Sequence, residues 1–145
     1  GTGATLGTWG GADAGRPGGL GGAVQRQGDL VVAAMLAVNA SGWVDTGHID
    51  PRPGGGGLAT NTTIGVVATN ARLDKVGCHL LAQSAHDGLA RALVPVHTRF
   101  DGDAVVAASI GPDEAKVDAQ VDHVRWLAMT TVEQAIRAVG AIPPA

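Results

Sequence analysis

The chain has 145 residues, one domain of ordinary size, and folded it would bury roughly two-thirds of its extended surface. Glycine is over-represented at 23 residues and unevenly spread, 17 of them within residues 1–61, but no G-X-Y period exists and collagen is excluded. A net charge of −3 and only four aromatic residues exclude a basic nucleic-acid surface and a base-stacking platform. Residues 1–22 are dense in glycine and read as loop leading into a strand near Ala23–Gln27. Asp29–Val38 is an apolar, β-branched run and reads as a buried strand, with a short strand near Trp43–Val44. Residues 45–59 carry two prolines and the run Gly54–Gly57, the clearest linker in the chain. Thr62–Thr69 follows it as a strand. Asp74–Val94 has helical spacing, with Val76, Leu80, Leu81, Ala85, Leu89, Ala92 and Leu93 on one side and Pro95 as its stop. Val105–Ala108 reads as a strand. Residues 115–139 read as a long amphipathic helix with an apolar stripe from Val117 to Val139, capped by Gly140. The order is strands, linker, strand, helix, strand, helix: a mixed α/β (α+β) chain without strict βαβ alternation.

Several residues invite chemistry. No apolar run reaches the ~18 residues a membrane helix needs, and no secretory signal is visible. The single cysteine, Cys78, excludes an internal disulfide framework and most zinc sites, so a reducing cytoplasm is expected. It reads as a packing residue. The chain starts at Gly1 without methionine, which reads as a processed product or a piece of a longer chain. The opening glycines have the wrong spacing for a dinucleotide fingerprint and no P-loop lysine, so no cofactor is expected.

Asn61-Thr62-Thr63 sits between the linker and a strand. If the Asn61–Thr62 bond is cut, Thr62 gains an α-amine with a pKa near ~7.7–8.0 beside its own hydroxyl, so base and nucleophile share one residue. The same hydroxyl can make the cut by attacking the Asn61 carbonyl, with the glycine run supplying slack. The tripeptide is also a glycosylation sequon, like Asn39-Ala40-Ser41, and taken alone it reads first as an ordinary polar strand start. Phe100-Asp101-Gly102-Asp103 places two carboxylates around a glycine before a strand. They can orient an amine, join His97 in a metal site or form an Asp-Gly turn. Asp45, His48 and Asp50 are a second sparse cluster; neither set has enough ligands for a metal to be expected. His79 and His86, seven apart on the first helix, read as surface or packing residues.

Three stretches together carry a resemblance: residues 61–71 (NTTIGVVATNA), residues 85–91 (AHDGLAR) and residues 95–103 (PVHTRFDGD). They resemble the β-aminopeptidase/D-aminopeptidase family, which includes L-aminopeptidase/D-esterase enzymes, and are most like its 6-aminohexanoate-oligomer (nylon-oligomer) hydrolase branch. The resemblance implies a layered αββα fold of the D-aminopeptidase/ornithine acetyltransferase type, here its C-terminal part. It implies a precursor that cuts itself, with residues 1–61 the end of the large subunit and 62–145 the small one. Thr62 would be the nucleophile, Asn61 the last residue of the large subunit, and Asp101 and Asp103 the acidic pair that holds the Thr62 amine and hydroxyl. Asn39 would donate to the oxyanion or bind the α-amine. Thr8 stands where the family usually carries a lysine. The implied substrates are small peptides, β- or D-amino-acid amides and short amide oligomers, handled through an acyl-enzyme. The implied partners are the N-terminal part of the same precursor and further copies, as a tetramer of cleaved heterodimers, with no nucleic acid or membrane. Two other readings are acyl transfer of the ornithine acetyltransferase kind and a non-catalytic, degenerate homologue.

Overall fold

The computed structural model describes residues 3–47, 54 and 60–140. The first strand pair is β1 (Thr5–Leu6) with β2 (Arg16–Pro17), antiparallel, joined through two single-turn 3₁₀ segments at Thr8–Gly10 and Ala12–Ala14. The glycine-rich opening is therefore not loop alone. Two-residue strands leave no periodic signature, and here tertiary pairing creates them: Ala40 N–H donates to Thr5 and Gly18 N–H to Ala4.

The main sheet has the order β3 (Gly19–Gln27), β4 (Leu30–Val38), β6 (Ile64–Thr69), β8 (Ala104–Ser109). β3 and β4 form an antiparallel hairpin in full register from Gly19↔Val38 to Gln27↔Leu30, four residues earlier than the sequence suggests for β3. β6 is antiparallel to β4 and parallel to β8. Parallel neighbours require a crossover, and α1 (Lys75–Ala92) supplies it. A separate two-stranded pair, β5 (Trp43–Val44) with β7 (Leu93–Val94), ties the end of that helix back to the segment after β4.

Asp74 caps α1, its Oδ1 accepting from Gly77 N–H at 2.7 Å, and the extended backbone of Leu93 before Val94-Pro95 ends it. Leu81, Ser84, Ala85, Gly88, Leu89 and Ala92 form its buried face at three- and four-residue spacing. Val76, expected on that face, is 64% exposed: it lies one position before buried Gly77, and the 3.6-residue turn places it well round the helix from the buried stripe. The last helix, α2 (Val121–Gly140), begins six residues later than its apolar period suggests. Residues 116–120 stay extended because Val117 bridges to Ala71, with Arg72 N–H donating to Val117 and Val117 N–H to Asn70. The apolar positions of that segment still pack on the core, but from a strand-like backbone.

Both helices lie on one face of the sheet. Leu30, Val32, Leu36, Val38 and Val67 point into them, against Leu81, Leu89, Val124, Leu127, Val132 and Ile136. A Cβ on Gly88 would come within 2.5 Å of the Met129 carbonyl oxygen, so the closeness of α1 and α2 depends on that glycine. Arg125 Nε donates to Ser84 Oγ at 2.9 Å across the same seam. The other sheet face carries Leu20, Val24, Met35, Ile64, Val66 and Val106, every one exposed and apolar. No helix among the described residues is long and apolar enough to cross a membrane.

Candidate active site

The sheet topology concentrates several chain segments at one end. β6 and β8 are parallel, so both begin there, and antiparallel β4 finishes there. Asn39 follows β4, Asn61 to Thr63 precede β6, and Asp101 to Asp103 precede β8. The five residues expected to form the site, Asn39, Asn61, Thr62, Asp101 and Asp103, are thereby gathered from positions up to 64 apart in sequence.

Asn61 is its centre, buried to 3% exposure and bridged to Asp101 by the ladder that extends β6·β8. Its N–H donates to Phe100, and its own carbonyl accepts from Gly102 N–H at 2.9 Å. Thr62 is exposed, and its Oγ1 donates to that same Asn61 carbonyl oxygen at 2.7 Å. The carbonyl of the Asn61–Thr62 bond thus receives two donors, one of them the neighbouring hydroxyl. Gly102 makes room for this arrangement: a Cβ there would stand 2.9 Å from Thr62 Oγ1.

The side chains around this peptide are held from several directions. Thr5 N–H donates to Asn39 Oδ1 at 2.9 Å, which fixes that oxygen as the acceptor and so the orientation of the Asn39 amide. Asn61 Nδ2 donates to the same oxygen at 3.1 Å, and Thr8 Oγ1 donates to Asn61 Oδ1 at 2.9 Å. Thr8 is buried against the amide of Asn61, at the position where resemblance would put a lysine. The two aspartates do not face each other as a turn or a metal pair. Asp101 Oδ1 accepts from Ser41 N–H at 2.9 Å and its Oδ2 from the Thr98 hydroxyl. Asp103 Oδ1 accepts from Thr63 N–H at 2.9 Å, and its Oδ2 meets His97 Nδ1 at 2.9 Å. All four carboxylate oxygens are engaged: Asp103 holds the backbone just after Thr62, and Asp101 ties the loop before β8 to the segment after β4. Among the described residues there is no group of His, Cys, Asp or Glu able to hold a metal ion; His48 and Asp50 lie outside them.

Thr5, Ser41, Thr63 and Thr98 also build the site, none of them a candidate site residue from the sequence, although Thr63 and Thr98 lie in stretches that carry the resemblance. His97, weighed in the sequence only as a metal ligand, is a carboxylate partner instead. His86 packs its ring on His97 at 5.0 Å between centroids. Burial of His86, with the neighbouring His97, holds its pKa below the usual histidine value, partly offset by Asp103 and Asp87. Cys78 is half-buried and free. Of the run Gly54–Gly57 only Gly54 lies among the described residues, where its N–H donates to the Trp9 carbonyl.

Known proteins share this sequence and fold. The chain is 47% identical over 83 residues to an uncharacterised aminopeptidase of Mycobacterium leprae, covering 57% of this chain and 22% of that protein. It is 37% identical over 51 residues to the 6-aminohexanoate-oligomer endohydrolase of a Kocuria species, covering 35% of this chain and 14% of that protein. The chain thus spans under a quarter of the length of these curated relatives. A Burkholderia β-aminopeptidase superposes with a TM-score of 0.64 at 20% identity, covering 96% of this chain and 44% of that one. The L-aminopeptidase D-Ala-esterase/amidase of Ochrobactrum anthropi, described as a variant of the Ntn-hydrolase fold, gives 0.57 at 23% identity, covering 82% and 39%. The mixed α+β fold expected from the sequence is the fold of these aminopeptidases. The sequence profile of peptidase family S58 matches residues 1–141, so the chain belongs to peptidase family S58.

Proposed function

We propose that this chain is the self-cleaving, nucleophile-bearing part of an amidohydrolase or aminopeptidase that uses an N-terminal threonine. The observation that carries the reading is the Asn61 carbonyl, whose oxygen takes both Thr62 Oγ1 and Gly102 N–H. In self-cleavage the Thr62 oxygen attacks the Asn61 carbonyl carbon while Gly102 N–H stabilises the developing oxyanion. The C–N bond breaks, its nitrogen takes a proton, and an ester joins Asn61 to Thr62. Water then hydrolyses the ester, leaving an Asn61 carboxylate and a free Thr62 amine. Residues 1–61 end the large subunit and 62–145 form the small one.

The freed amine acts as the base for its own hydroxyl, which attacks a substrate amide to give an acyl-enzyme that water releases. Asp101 and Asp103 keep Thr62 in register through Ser41, Thr98, Thr63 and His97, and Asn39 supplies an amide for the oxyanion or the α-amine. The substrate class is small peptides, β- or D-amino-acid amides and short amide oligomers, in keeping with the names of the relatives. The open apolar sheet face supports a second layer, contributed by the preceding part of a longer precursor, as the greater length of the relatives suggests. Cleaved heterodimers would assemble as a tetramer in the cytoplasm, where Cys78 stays a thiol.

The test is the intact mass of the full-length protein. Two pieces meeting at Asn61/Thr62 are expected, with Thr62→Ala giving one uncut chain and no amidase activity. A wild-type chain that stays whole, or a Thr62→Ala variant that still cleaves, overturns the reading.

A further inference from the structure

His97 is one of two groups that hold the Asp103 carboxylate. That carboxylate is nearly enclosed, its side chain 4% exposed, and an enclosed carboxylate requires donors on its oxygens. One donor is the Thr63 amide, the first backbone N–H after Thr62. The other is His97 Nδ1, at 2.9 Å. With the carboxylate accepting, Nδ1 carries the proton of this bond, which fixes the imidazole tautomer. The ring is also held on its other side, tilted at 52° against His86 of α1.

The backbone at His97 carries a second signal. Its φ is +50°, the only positive value at a non-glycine residue among those described. Left-handed backbone at a residue with a Cβ disfavours folding and persists where surrounding contacts enforce it. Here it aims the ring at Asp103. The strained residue, the enclosed carboxylate and the amide beside the nucleophile form one chain of contacts running from α1 to Thr62.

We propose that His97 is a positioning residue: by donating from Nδ1 to Asp103 it fixes the carboxylate that anchors the Thr63 amide, and so sets where Thr62 stands. It touches neither the Asn61–Thr62 bond nor substrate and acts only through Asp103. The inference rests on the reading of Thr62 as nucleophile, and its test separates the two.

Asparagine and glycine at position 97 distinguish hydrogen bonding from backbone shape. Both accept left-handed backbone, but only asparagine places a donor near the position of Nδ1. The full-length protein is prepared as wild type, His97→Asn, His97→Gly and Thr62→Ala. Thermal midpoint, self-cleavage rate by intact mass, and kcat and KM on a small peptide amide are measured for each. His97→Asn is expected to stay within about threefold of wild type in cleavage and kcat. His97→Gly is expected to lose on the order of 10- to 100-fold in both, with KM changed less than kcat, as misplacing a reacting group does. If the glycine variant fails to fold, His97→Asp takes its place, since it has asparagine's shape and backbone tolerance without the donor, and the same loss is expected. Wild-type rates in the donorless variant, or an asparagine variant as slow as it, overturn the role of His97 and leave the nucleophile standing. A Thr62→Ala variant that cleaves or turns over overturns the nucleophile itself, whatever the His97 variants do.

Discussion

Gly102 is where a single atom decides geometry. Its φ lies outside the left-handed region, so alanine can adopt the same backbone without strain. What alanine cannot do is leave Thr62 alone: its Cβ would stand 2.9 Å from Thr62 Oγ1, inside van der Waals contact for carbon and oxygen. The threonine relieves the contact by turning about χ1, and the turn carries its hydroxyl away from the Asn61 carbonyl. Gly102→Ala is therefore expected to retain the wild-type fold and thermal midpoint within a few degrees while self-cleavage slows by about 10-fold or more. A time course of intact mass checks this. Cleavage at the wild-type rate would mean that Thr62 does not attack from the rotamer seen here. The Asn-Thr-Thr and Asp-Gly-Asp residues stood out in the sequence through the resemblance of the stretches that hold them, since each motif alone suits a strand start or a turn. Their partners did not, since Thr5, Ser41 and Thr98 are ordinary polar residues until β4, β6 and β8 bring their ends together.

At the scale of elements, α1 joins packing to the site. Its buried face lies against α2, while His86, two residues before Gly88 in that seam, reaches the His97 ring. Burial and the nearby His97 lower the His86 pKa in the folded chain, so the folded state binds fewer protons there than the unfolded state does. Stability from this source is complete above the unfolded value near ~6.5 and is lost as pH falls through it toward the folded pKa. His86→Gln is expected to flatten the fall in urea midpoint between pH 7.5 and about 5 relative to wild type; an unchanged slope would show that other groups govern it. Elements whose signal is local were readable: β4 from its apolar run, α1 from its period and from Pro95. The start of α2 was not. Val117 fits the helical stripe, yet its backbone bonds to Asn70 and Arg72 hold it extended, and such long-range competition has no mark in a periodicity. The two-residue strands β1, β2 and β7 belong to the same case.

For the whole molecule, the sheet is finished on one face and open on the other. Successive outward positions in β3, β4, β6 and β8 pair as Leu20↔Ala37, Ala37↔Ile64 and Ile64↔Ala104, and as Gly22↔Met35, Met35↔Val66 and Val66↔Val106. No charged side chain interrupts these two rows, and Met35 and Val106 are 59% and 67% exposed. A soluble sheet that faces water alternates apolar and polar along each strand, whereas here both sides of β4 and β6 are apolar. Such a face suits the second layer proposed above. A lysine at its centre separates coverage from exposure. In the 145-residue chain, Met35→Lys is a surface change, expected to alter stability by no more than about 0.5 kcal/mol and to reduce self-association. In the full-length protein the same lysine would be shut between two layers without a partner, and a loss of several kcal/mol is expected, with self-cleavage impaired as the sheet end distorts. Thermal midpoints and sedimentation of both forms, with and without the substitution, give the comparison. A full-length protein that tolerates lysine at position 35 as well as the 145-residue chain does would show that this face stays open to water in the complete molecule.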